Sequence, residues 1–238
     1  MSSDLKELIE RSLFDPSNEE RSFSSEFERV HKHHIDSLVL FAPETDKAIV
    51  FFHGNYGNVT WYTEKMKMIQ KKNPTCDIWC FDYPGFGKSK GNSNTDKLID
   101  SAYTFLNMIS KMYKSWEWVC ETIGAGVAMG VLVQGDKKLD YLPSKITIIN
   151  GFRSVGNMAM ERSSIPNAKH IVKKFGFELN TYKWIIKARE TFNGTCPSFC
   201  IIRALDDKEI PMKHSQDLCE AAGVSLVVVN GTHRDYEI

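Results

Sequence analysis

The sequence offers no membrane span, no net charge and no paired-cysteine motif. No apolar run in its 238 residues approaches the roughly 18 that a spanning helix needs. The N-terminus, MSSDLKELIERSLF, is charged and amphipathic and lacks the apolar centre of a signal peptide. Ser2 stands where simple N-myristoylation needs glycine. Lys plus Arg and Asp plus Glu both total 30, so charge gives no reason to expect nucleic acid or an anionic membrane as a general partner. The six cysteines, Cys76, Cys80, Cys120, Cys196, Cys200 and Cys219, are scattered through mostly apolar runs without CxxC spacing. They read as reduced core thiols, and we expect a cytoplasmic protein. His31, His33 and His34 lack a third ligand class at a recognised spacing and read as a polar strand or turn, so we expect no metal and no cofactor. No repeat, low-complexity block or Pro/Ser linker divides the chain. With 42% hydrophobic and 25% charged residues, we expect one globular domain over 1–238, in which 1–36 form an N-terminal helix and extension.

What the chain does contain is an alternation of apolar strands and amphipathic helices. The pattern predicts a helix over 4–14, then strands over 37–43 and 47–54 around a turn at 44–46. A helix over 62–72, a strand over 76–83 and a glycine-rich loop follow. The next helix, 95–113, has Thr95 as its expected N-cap. A strand over 115–121 runs directly into a helix over 124–134, and a strand over 145–151 comes next. AKHIVKKFG and TYKWIIKARE give two short helical patterns within 156–192. Strand 196–205, helix 211–223 and strand 224–231 complete the series. Such alternation implies an α/β protein whose mostly parallel central sheet is covered by helices on both faces. Ligands of such sheets bind beyond the carboxyl ends of the strands.

The informative residues fall at those ends. HGNYGN (53–58) follows one strand, and Tyr83, Gly85, Gly87, Ser89 and Gly91 punctuate the loop after another. Asp207 precedes Ile210 and Pro211, and Gly231, His233, Asp235 and Glu237 space the last segment as G-x-H-x-D-x-E. Together and in this order the motifs resemble the α/β-hydrolase superfamily, in its small-lid branch of protein depalmitoylases and related esterases. The resemblance runs from about residue 37 to the end. It implies a general base at His233, an orienting acid at Asp207 and an oxyanion hole from the amides of Asn55 and Ile123. It also implies substrate contacts from His53, Gly54 and Tyr56, and an ester or acyl-protein substrate. The segment between Gly151 and Glu190 leaves only a short lid and an open site. The sequence ends at Ile238, soon after His233, so we expect the last helix of the family to be missing.

The departure lies at the nucleophile elbow, where the family has G-x-S-x-G. Here the aligned residues are Cys120-Glu121-Thr122-Ile123-Gly124, with Gly126 beyond. Thr122 takes the place of the serine, and Cys120 that of the first glycine. A shift of one residue would instead put Ile123, which has no oxygen, at the tip. Cys120 is a chemically attractive nucleophile but lies two residues from the tip. Asp207 alone reads more readily as a helix cap, and the other motifs reverse that reading. An elbow residue has φ > 0, which a β-branched side chain resists. Two functions therefore stand open: an ester or thioester hydrolase of reduced activity using Thr122, Asp207 and His233, or an inactive pseudohydrolase that binds a ligand or a protein.

Overall fold

A computed structural model describes residues 2–133, 139–163 and 165–237. An eight-stranded sheet forms its centre. The strands are β1 (Phe27–Lys32), β2 (Ile35–Leu40), β3 (Lys47–Phe52), β4 (Asp77–Phe81), β5 (Ser115–Glu121), β6 (Lys145–Ile149), β7 (Ser198–Ala204) and β8 (Leu226–Val229). Their spatial order is β1-β2-β4-β3-β5-β6-β7-β8. β2 runs antiparallel to both its neighbours, and the pairs from β4 to β8 are parallel. The expected turn at 44–46 therefore joins two strands that do not pair, because β4 lies between β2 and β3.

Helices lie on both faces. α1 (Ser2–Leu13), α3 (Thr95–Ile109), α4 (Ile123–Val133), α7 (Thr181–Phe192) and α8 (Met212–Ala222) pack into one apolar cluster, while α2 (Thr63–Lys72) packs into the other. α5 (Val155–Arg162) and α6 (Ala168–Lys174) close one end. β3 to β6 read as near-continuous apolar runs because both their faces are covered. α3 buries Leu98, Ile99, Ala102, Phe105, Leu106 and Ile109 at helical spacing and keeps its other face polar. Its N-cap is Asn94, one residue earlier than expected, because the Asn94 carboxamide oxygen accepts from the Lys97 amide at 2.9 Å. α4 is buried on every side, which explains why its sequence shows no polar face. Gln134, the expected end of that helix, lies outside the described residues.

Two elements escaped the pattern. β1 is a half-exposed edge strand, FERVHK, whose polar composition hides it. The histidine cluster makes the turn of the β1–β2 hairpin, with His33 and His34 at φ 53° and 64°. α5 is short and holds Gly156 and Asn157, which blur the helical signal. Among the described residues, no helix is long and apolar enough to cross a membrane, and no His, Cys, Asp or Glu group is arranged to hold a metal ion.

Candidate active site

β5 ends at Glu121 and α4 begins at Ile123, which leaves Thr122 alone in the turn at φ 52°. This fixes the phase of the elbow and excludes the shifted alignment with Ile123 at the tip. The Thr122 amide donates to the Ile149 carbonyl at 3.0 Å, tying the turn to β6. Gly124 permits the close approach of α4 to β3: a Cβ there would meet the Phe52 carbonyl oxygen at 2.3 Å. Cys120 is fully buried in the larger apolar cluster, and burial pushes its thiol well up. It supplies no thiolate to the site.

Three side chains from three strand ends meet. Thr122 Oγ1 lies 3.2 Å from His233 Nε2, and His233 Nδ1 lies 2.9 Å from Asp207 Oδ2. All three residues are buried. Asp207 caps no helix, because α8 has Pro211 as its N-cap with no side-chain bond, and instead it braces the turn before that helix. Its Oδ1 accepts from the Glu209 and Ile210 amides at 2.8 and 3.0 Å, while Oδ2 faces the histidine. Burial alone would raise the Asp207 carboxyl, but the His233 hydrogen bond and the two amides hold it below its ordinary value.

Two residues that carry no family motif, Asn150 and Arg203, hold this arrangement in place together with the motif residue Gly231. Asn150, at the end of β6, is fully buried with φ 48°. Its amide nitrogen donates to the His233 carbonyl at 3.0 Å, and its amide oxygen accepts from the Ala204 amide at 2.8 Å. Arg203 donates to the Asp207 carbonyl at 2.8 Å. Gly231 turns the chain towards His233 at φ 118°, where a Cβ would meet the Asp235 carbonyl oxygen at 2.2 Å. A polar residue just beyond an apolar strand was the available signal for Asn150.

Asn55, Thr122, Ile123 and His233 line one cavity of about 380 Å³. Among the described residues, the Asn55 and Ile123 amides have no backbone acceptor. The cavity is walled by Leu8, Ile9 and Leu13 of α1 and by Val155, Met158 and Ile171 of α5 and α6. α1 thus adds a wall to the site, which stays partly open to solvent. A second cavity, of about 150 Å³, shares Asn55, Thr122 and His233 and takes in Gly54 and Tyr56. His53, expected to touch substrate, lines neither cavity. It is fully buried, with ring centroids 4.9 Å from Tyr62 and 4.4 Å from Tyr83, its Nδ1 2.7 Å from the Gly54 carbonyl oxygen and its Nε2 3.4 Å from the Asp82 carboxylate. Glu121, the last residue of β5, is buried beside the second cavity. There it pairs with Lys65 and accepts the Tyr236 hydroxyl at 2.5 Å.

A sequence profile described as the alpha/beta hydrolase fold matches residues 47–126. The Pyrococcus furiosus esterase Pf2001 superposes with a TM-score of 0.64 at 15% identity, over 92% of this chain and 90% of that one. The chain has the α/β-hydrolase fold. Mouse alpha/beta hydrolase domain-containing protein 10 shares this α/β-hydrolase architecture, with a TM-score of 0.58 at 14% identity over 87% and 90% of the two chains. In sequence, an uncharacterised protein of Acanthamoeba polyphaga mimivirus is 22% identical over 84% of this chain and 71% of its own length. As in other α/β-hydrolase folds, the residues gathered here stand at the carboxyl ends of parallel strands.

Proposed function

We propose that this protein hydrolyses a carboxylic ester or thioester, with Thr122 as nucleophile, His233 as general base and Asp207 as the acid that orients it. The observation that carries the reading is the unbroken chain from Thr122 Oγ1 through His233 to Asp207, at 3.2 and 2.9 Å, opening on an apolar cavity. His233 Nε2 takes the Thr122 hydroxyl proton as Oγ1 attacks the substrate carbonyl carbon. The oxyanion that forms is met by the Asn55 and Ile123 amides and by the positive end of α4. His233 then gives the proton to the departing alcohol or thiol, leaving an acyl-threonine. Water, deprotonated by His233, attacks that ester, releases the carboxylic acid and restores Thr122. Asp207 stabilises the imidazolium throughout.

Turnover is slow in this reading. The Thr122 methyl restricts χ1 and sits in a backbone conformation that β-branched residues resist. That same observation supports the second reading, a pseudohydrolase that binds a ligand in the cleft without cleaving it. Incubation with a fluorophosphonate probe and mass-spectrometric mapping of the adduct decides between them. An adduct on Thr122 that is absent from His233→Ala upholds hydrolysis. A folded protein that stays unlabelled at high probe concentration upholds the pseudohydrolase.

A further inference from the structure

The two cavities meet at Asn55, Thr122 and His233 and are opposite in character. The larger, about 380 Å³, is walled mostly by aliphatic side chains and Phe152, with Arg162 and Glu209 as its charged lining. The smaller, about 150 Å³, is lined by Arg21, Lys65 and Arg234, with Glu121 as its one carboxylate. Lys65 and the Tyr236 hydroxyl both bond Glu121, so that carboxylate is already answered. Arg234 lies over the Tyr56 ring at 4.6 Å and reaches Glu209 at 3.1 Å. Arg21 is different. Its guanidinium carbon lies 3.8 Å from the centroid of the Trp61 ring, and among the described residues it has no carboxylate partner. Three cations thus face two carboxylates, and the unanswered charge is a guanidinium seated over an indole. A guanidinium fixed in this way keeps its edge free to donate paired hydrogen bonds to phosphate or carboxylate oxygens.

We propose that the smaller cavity is an anion subsite. The substrate then joins a hydrocarbon chain, held in the larger cavity, to a compact phosphorylated or carboxylated group held by Arg21 and Arg234. This rests on the hydrolase reading for the identity of the bond, but the recognition itself needs no turnover. An apolar chain on one side of Thr122 and an anion on the other fix the register of the bond between them. The carbonyl carbon then stands at the hydroxyl without help from a deep lid.

The test uses three ethers that no esterase can cleave: 1-O-octylglycerol, its 3-phosphate and octyloxyacetate. Each is titrated calorimetrically into the full chain and into R21Q. At least one anion should bind about ten- to a hundredfold more tightly than the neutral ether, the range expected of charge-assisted hydrogen bonds. R21Q should remove that advantage and leave the neutral ether unchanged. The phosphate and the acetate show which anion the subsite prefers. Equal affinities for all three ethers, an equal loss for all three in R21Q, or no binding of any overturns the proposal. Anion-selective binding without fluorophosphonate labelling sinks the hydrolase reading alone. Labelling of Thr122 without anion selectivity sinks the subsite alone.

Discussion

The His233–Asp207 side of the cleft and the Thr122 side are built to different standards. His233 and Asp207 are held many times over: by Asn150 on the His233 carbonyl, by Arg203 on the Asp207 carbonyl and by two amides on Asp207 Oδ1. Thr122 is held by its backbone, and the backbone asks of a β-branched residue a conformation it resists. In the hydrolase reading proposed above, the difference puts the weakness at Thr122 rather than among the groups around His233 and Asp207.

Five substitutions break or sharpen this contrast. The largest effect belongs to the base. In a Thr122→Ser background, His233→Ala should lower hydrolysis of p-nitrophenyl esters by about 10³-fold or more, since the triad acts as a unit. Activity that survives the change belongs to a contaminant. Next comes Thr122→Ser itself, which relieves the φ > 0 penalty and frees the hydroxyl to rotate. Turnover should rise about 10- to 100-fold, the scale of a positional error of an ångström. Cys120→Gly should add to it by relaxing the elbow. An unchanged rate would place the fault outside the elbow.

Asn150→Ala strips the His233 carbonyl and the Ala204 amide of their partner. It should cost about 1–3 kcal/mol in a urea melt, the range for an orphaned buried polar group. The smallest effect concerns pH. The Asp207 carboxyl titrates below its ordinary 3.8 in the folded protein. Its charge therefore stabilises the fold fully above that value, and the contribution fades as pH falls towards the lower folded value. The stability gap between the protein and Asp207→Asn should narrow on acidification through that window. A gap that stays constant would mean that Asp207 is not held below its ordinary value.

The sequence carried the strand ends well, because apolar parallel strands bounded by glycines and turns are strong signals. β5 matched its expected limits, Ser115 to Glu121. The candidate site residues Thr122, Asp207, His233, Asn55, Ile123, Gly54 and Tyr56 gather at the cleft, and His53 does not. What stayed hidden depends on long-range neighbours. Asn150, Arg203 and Lys65 are single polar residues whose roles exist only once β6, β7 and α2 are packed. β1 is too polar to look like a strand, and α1 gave no sign of where it would dock. The N-cap of α3 moved from Thr95 to Asn94 because adjacent residues with capping side chains compete.

α1 is fastened by a short clip: the Asp15 amide bonds the Asn55 carbonyl at 2.8 Å, and the Ser17 amide bonds that of Gly57 at 3.1 Å. The Asn55 side chain adds a bond to the Leu13 carbonyl, 42 residues away in sequence. The entropy of closing so long a loop is repaid only after β3 has joined the sheet, which makes the clip a late event in folding. Run backwards, it is among the first pieces to open, at a free energy below that of global unfolding. A molecule seated against Leu8 and Ile9 binds only the closed form, so filling the cavity slows hydrogen exchange at Asp15 and Ser17 in proportion to occupancy. Those two amides become reporters of a ligand they never touch.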